Sequence, residues 1–541
     1  MTMATNKQGI FPRSMAEIPS AYRLERFEQR HYLSDGELRL WQGPFQKVFS
    51  PICFSGKSGP QQVEIGSFPL LGEREALAAL TAAVAAYDHG RGLWPTMTVA
   101  ERIDGVRRFT MRMRGERDAI VRLMMWEIGK TLSDAQKEFD RTVAYIDDTI
   151  DALKDLDRVS SRFTMTEGIL GQIRRAPLGV TLCLGPFNYP LNETFTTLIP
   201  ALIMGNTVIF KPPRHGVLLF GPLLPAFCDC FPPGVVNAIF GAGRTVIPPL
   251  MTSGQIDAFA FIGTSGAADT LQKIHPHPHR LRLVLGLEAK NPAIVLADAD
   301  LDLAVRECVS GALSFNGQRC TALKILFVQR TVAADFVGRL AAAVAALPCG
   351  LPWEAGTAIT PLPEEGKTAG LTAMIADAVE RGAVVVNPGG GTVQGTLFTP
   401  AVLYPCAVGM RLYSEEQFGP IVPVVPFDAV EEPVRYITDS DYGQQVSLFG
   451  RDPAQLAALI DPLVNQVCRV NINSQCQRGP DIFPFTGRKD SAVGTLSVSD
   501  ALRAFSIRTL VAARESEENR EIIRQIVQER YSKFLSTDFI L

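Results

Sequence analysis

Five short apolar runs, "GVTLCLGPF", "GNTVIFKPP", "VVNAIFG", "AFAFIGTSG" and "RLVLGLEA", follow one another from Gly179, separated by segments of helical length. Runs without a polar alternation suit strands covered on both faces, and their alternation with helices predicts βαβ units around a parallel sheet. A second alternating region runs from about Asn316 to Arg488. The expectation is an α/β protein of two lobes, with ligands at C-terminal strand ends or in the cleft between lobes.

Upstream, "EREALAALTAAVAAY" has the Ala/Leu density of a packed helix, and residues 99–153 continue as long amphipathic helices. Residues 1–60 are rich in Gly, Pro and Ser and read as an irregular extension over the surface. Residues 515–541, with Ile522, Ile523, Ile526 and Val527 at helical spacing, read as a helical tail that caps or joins subunits.

The chain has 541 residues, 46% of them hydrophobic and 20% charged, with a net charge of −3. That balance lacks the basic excess of a nucleic-acid binder. No stretch approaches the roughly 18 apolar residues of a membrane span, so a cytoplasmic location is the default expectation. Ten cysteines without CxxC spacing fit a reducing compartment and argue against zinc.

Several stretches carry chemistry. "SFNGQRCTALK" sets Cys320 beside Arg319, a cation that would favour the thiolate and make a nucleophile. "GPFNYPLNETF" holds Asn188 in a turn, where its amide and the Cys320 backbone N–H would stabilise an oxyanion. Lys211 ends a strand before Pro212 and Pro213, and "FIGTSGAA" is a strand-to-helix turn suited to a pyrophosphate. In "LVLGLEAKNPAIVL", Glu288 is a carboxylate in a nearly unbroken apolar run, read either as a solvated strand end or as part of a site.

Together these stretches resemble the aldehyde dehydrogenase superfamily across residues 71–511, and its branch of non-phosphorylating glyceraldehyde-3-phosphate dehydrogenases through "NINSQCQRGPDIFPFTGRKDS". The resemblance implies a Rossmann-type cofactor domain (61–157 and 179–305), an α/β catalytic domain (306–489) and a small β oligomerisation arm (158–178 and 490–514) joining a homodimer or homotetramer. It implies that Cys320 forms a thiohemiacetal and then a thioester, with Asn188 at the oxyanion. Lys211, Gly263, Thr264, Ser265, Leu287, Glu416 and Phe418 would contact the dinucleotide, and Arg141, Tyr189, Arg319 and Arg478 the phosphate of the aldehyde. Arg214 stands where many NAD-using relatives keep a glutamate, which favours NADP, with NAD the alternative.

One departure stands out. Gly286 falls where the family keeps its glutamate base, and Glu288 lies two residues on. In an extended strand the two face one side, roughly 7 Å apart, so Glu288 is the expected replacement. Two alternatives remain open: release of the thioester to coenzyme A, and a non-catalytic cofactor-binding or assembly role.

Overall fold

The computed structural model describes residues 9–57 and 59–536. Residues 1–8 of the expected extension and 537–541 of the expected tail lie outside the described residues.

The five apolar runs form the parallel core of an eight-stranded sheet in the order Arg282–Gly286, Ala258–Ile262, Val180–Leu184, Thr207–Lys211, Val236–Ala238. Val180–Leu184, first of these in sequence, sits in the middle. The chain winds outward to Val236–Ala238 and then reverses through Ala258–Ile262, which creates a switch-point crevice beyond the C-terminal ends of the two central strands. All five residues of Val180–Leu184 are buried, as are all twelve of the helix Asn192–Ile203 that covers it. Burial on both faces explains why those runs show no alternation.

A second sheet of seven strands takes the remaining α/β region. Ala401–Tyr404, Ile421–Phe427, Leu323–Gln329, Asn291–Val295, Gln445–Phe449 and Arg469–Ile472 run parallel, and Val384–Val385 adds an antiparallel edge. The opening run of the last motif divides between the two sheets: Arg282–Gly286 ends in the first and Asn291–Val295 begins the second. Residues 287–290 are the crossing between lobes. Glu288 is therefore not a strand residue, and the same-face argument that tied it to Gly286 fails because the strand stops at Gly286.

The amino-terminal segment is not irregular. Phe45–Gly56 and Gly59–Pro69 pair as an antiparallel hairpin, and His31–Ser34 joins the first sheet beside Val236–Ala238 with Leu33 fully buried. Gly, Pro and Ser here mark turns and bulges between strands. Phe163–Thr166, Ile169–Pro177 and Ser506–Arg514 form a three-stranded antiparallel arm. Residues 490–505 do not join it: Ala492–Val493 pairs with Arg282–Gly286, and the helix Val498–Ala504 packs on the first lobe through Val498, Ala501 and Leu502. The tail contains the helix Glu517–Gln528, capped by Ser516 accepting from the Asn519 N–H and with no residue buried. No helix among the described residues is long and apolar enough to cross a membrane.

Candidate active site

A cavity of about 660 Å³ opens between the C-terminal strand ends of the first sheet and the N-terminal strand ends of the second. Arg141, Asn188, Tyr189, Gly263, Thr264, Leu287, Glu288, Arg319, Cys320, Glu416, Phe418 and Arg478 all line it. Lys211, Arg214 and Ser265 do not, although the Ser265 amide is tied to a lining residue.

Cys320 follows a tight turn, Ser314–Gly317, in which Phe315 and Asn316 take positive φ values of 47° and 58°. Such backbone is held by its surroundings. The Asn316 amide donates to Thr360 Oγ1 at 3.0 Å and accepts from the Thr360 N–H at 2.9 Å. Among the described residues the Cys320 N–H has no acceptor, while its carbonyl accepts from Asn291 at 2.7 Å. Burial pushes the Cys320 thiol above its ordinary range, and Glu193 adds to that rise; Arg478 and Lys324 oppose it. The neighbour in sequence, Arg319, is not among those opposing cations. Its guanidinium turns onto the Gly311 carbonyl at 2.8 Å, because consecutive residues leaving a turn point apart.

Asn188 is buried, and its Nδ2 donates to the Gln318 carbonyl at 2.8 Å. An amide nitrogen carries two protons, so this bond orients Asn188 and leaves one donor beside the thiol. The Asn188 carbonyl accepts from Lys130 Nζ at 2.9 Å. Lys130 forms a fully buried ion pair with Glu138, whose other oxygen accepts from the Leu191 and Asn192 amides at 3.0 and 3.1 Å. A buried pair thus pins the Asn188 turn to the first turn of Asn192–Ile203. Lys130 also lies 3.6 Å from the centre of the Tyr189 ring.

The arginines come with carboxylates. Arg141 grips Asp481 in a two-pronged pair at 2.8 and 2.7 Å. Arg478 faces Glu193 and Asp481, the latter at 3.3 Å, yet its Nε and Nη1 and the Nε of Arg319 are buried without a directed hydrogen bond. Burial works against the Asp481 charge, but Arg141 and Arg478 hold its carboxyl below the usual range.

On the opposite wall, the helix Ser265–Lys273 points its N-terminus at the cavity. Glu288 Oε2 accepts from the Ser265 N–H at 2.7 Å, so the carboxylate already occupies the positive end of that helix. Gly263 sits against the Phe261 ring, which an added Cβ would meet at 2.4 Å. Glu416 pairs with the buried Lys324, and Phe418 packs edge-on against Phe187 with ring centres 5.9 Å apart. Lys211 donates to the Pro212 carbonyl at 2.7 Å, and burial lowers its pKa to about 8. Arg214 is exposed, 3.7 Å from Glu365, and faces a separate cavity of about 410 Å³.

Residues 57–511 match the model of the aldehyde dehydrogenase family. The chain belongs to this family. It is 31% identical over 449 residues to the NADP-dependent glyceraldehyde-3-phosphate dehydrogenase of Streptococcus equinus, an alignment covering 82% of this chain and 92% of that protein. The solved NADP-dependent glyceraldehyde-3-phosphate dehydrogenase of Bacillus halodurans, complexed with NADP, superposes with a TM-score of 0.82 at 30% identity, over 90% of this chain and 100% of that one. The lactaldehyde dehydrogenase of Escherichia coli gives the same TM-score, 0.82, at 26% identity, again over 90% of this chain and 100% of that one. Equal backbone likeness to enzymes named for different aldehydes means that side chains, not the fold, must select the substrate.

As an aldehyde dehydrogenase the chain lacks a side chain at Gly286, and the sheet does not require this. A Cβ there would meet Ile262 and Leu496 at 3.4 and 3.5 Å, ordinary contact distances. Sequence reasoning missed Lys130, Glu138, Glu193 and Asp481. Only Glu193 gave a signal, as a carboxylate opening the otherwise uncharged "TFTTLIPALI".

Proposed function

We propose that this aldehyde dehydrogenase oxidises glyceraldehyde 3-phosphate to 3-phosphoglycerate with NADP. The observation that carries the reading is one cavity whose lining brings together Cys320, whose N–H has no acceptor among the described residues, Asn188 with its second donor, and the guanidiniums of Arg478 and Arg319. The names of the relatives agree.

Cys320 Sγ bonds to the aldehyde carbon and its proton leaves to solvent. The resulting oxyanion accepts from Asn188 Nδ2 and the Cys320 N–H. NADP, where bound, would supply the acceptor for the hydride that this carbon loses as the thioester forms. Water then breaks the carbon–sulfur bond of the thioester, giving a carboxylate and the thiol, with Glu288 taking the water's proton. Arg141, Arg319, Arg478 and Tyr189 hold the phosphate, for which forked guanidinium donors are suited.

The residues fit a dinucleotide. The turn 263–265 offers a helix N-terminus that already attracts an anion, and Lys211 has no carboxylate partner among the described residues. Glu416, Phe418 and Leu287 line the reaction cavity, which supports their contact with the nicotinamide half, and the exposure of Arg214 supports its pairing with a 2′-phosphate. The arm, with Ile507 and Leu510 more than half exposed, supports assembly into a dimer or tetramer.

A second reading, release of the acyl group to coenzyme A, is favoured by one observation: Glu288 is engaged at Ser265 and no side chain stands at 286. Continuous NADPH formation from glyceraldehyde 3-phosphate and NADP, without phosphate or coenzyme A, supports hydrolysis. A single-turnover burst made continuous by coenzyme A supports the second reading, and no NADPH at all sinks both.

A further inference from the structure

Away from the reaction cavity, a cavity of about 540 Å³ opens between the turn Leu93–Thr96, the arm strand Ile169–Pro177 and residues 531–534. Arg102, Arg174, Arg175 and Lys533 line it, with Tyr87 and Tyr531, and among the described residues no carboxylate does.

These cations are only partly used by the protein. Arg102 is buried, donating from Nε to the Ile203 carbonyl at 2.8 Å and from Nη1 to the Met97 carbonyl at 2.6 Å, two bonds for five donors. Burial lowers its pKa to about 10, and nearby Arg174 works in the same direction against Asp157. Arg175 is pressed by Arg503, Arg508 and Arg282, and one of its nitrogens reaches Ser506 Oγ at 3.0 Å. The carboxylates nearby are engaged: Asp157 with Arg174, Glu101 with Lys533 at 3.4 Å, and Asp500 with Arg503 at 3.2 Å. A guanidinium held away from water among other cations is relieved by an anion.

We propose that this cavity binds a small phosphate ester, closed on one side by the C-terminal tail. Its volume lies in the range of small-molecule sites, and forked guanidiniums beside an ammonium and tyrosines suit a phosphate on an organic body. The outer wall is held by Arg174, which donates from Nη1 to the Phe534 carbonyl at 2.7 Å and the Ser536 carbonyl at 3.2 Å. That wall lies beyond the segment 57–511 that matches the family, whereas the rest of the lining lies within it.

The test is hydrogen–deuterium exchange on the full-length protein, titrated with inorganic phosphate and with glycerol 3-phosphate against sodium chloride of equal ionic strength. Slower exchange in peptides covering 169–177 and 531–536, with the half-saturating concentration raised roughly tenfold in Lys533→Gln and in Arg175→Gln, is the expected result, one charge-assisted contact being lost in each. Peptides around 186–191 report the reaction cavity separately, and their response should be the same in both variants. No protection of the tail, equal protection by chloride, or protection unchanged in both variants would overturn the proposal.

Discussion

Replacing Glu288 by glutamine should move cofactor binding and turnover in opposite directions. The carboxylate accepts from the Ser265 N–H at 2.7 Å, at the first turn of Ser265–Lys273 and half-buried. An anion at such a position contributes about 0.3–1 kcal/mol, up to about 2 when partly buried. A pyrophosphate seeking the same amides must displace Glu288 and face its charge, whereas glutamine keeps the shape without the charge. Half-burial puts Glu288 in the upper part of that range, about 1–2 kcal/mol, so the dissociation constant for NADP should fall by roughly 5- to 30-fold, at about 1.4 kcal/mol per factor of ten. A general base contributes about 10²–10⁴ in rate, so steady-state hydrolysis should drop by that order while the first-turnover burst persists. Calorimetric titration with NADP and stopped-flow absorbance of NADPH read the two effects independently. A dissociation constant within about twofold of the parent refutes the competition at the helix terminus, and an unchanged steady-state rate removes Glu288 from deacylation.

Gly286→Glu should raise steady-state turnover at least about tenfold, since a Cβ fits at that position and a carboxylate would face the cavity; a soluble, folded variant with unchanged turnover contradicts this. Lys130→Met leaves Glu138 buried without its partner and should cost about 3–5 kcal/mol in urea unfolding, with Lys130→Met/Glu138→Gln recovering most of it; equal losses in the single and double variants would show that the pair is not coupled. Because Cys320 titrates above the ordinary cysteine range, the thiolate fraction grows with pH across the neutral region. Alkylation of the free enzyme by iodoacetamide should then accelerate about tenfold per pH unit from pH 7 to 8.5 without levelling; a plateau by pH 8 would mean that the thiol is already ionised.

Much of the architecture is legible in the chain because its signals are local. The apolar runs announce buried parallel strands, and the turns around Asn188, Gly263 and Cys320 meet at one cavity because each follows or precedes such a strand. What stayed hidden depends on contacts far apart in sequence. Nothing near Arg478 announces Glu193, 285 positions earlier, and nothing near Asn188 announces Lys130. Adjacency misled in the case of Arg319, whose side chain leaves the turn away from Cys320. The run from Leu283 reads as one strand because apolar residues persist through a crossing between sheets, and composition carries no mark of where a strand changes sheet.

The ordinary contacts around Gly286 have a genetic consequence. The glycine codons GGA and GGG become glutamate codons by one base change, and the Ile262 and Leu496 side chains leave room for a Cβ. Where the gene uses one of those codons, a carboxylate at 286 is one base change away and is not blocked by the sheet. Packing therefore does not hold glycine at 286, and whether a carboxylate belongs there is left to the chemistry of the cavity that Gly286 lines.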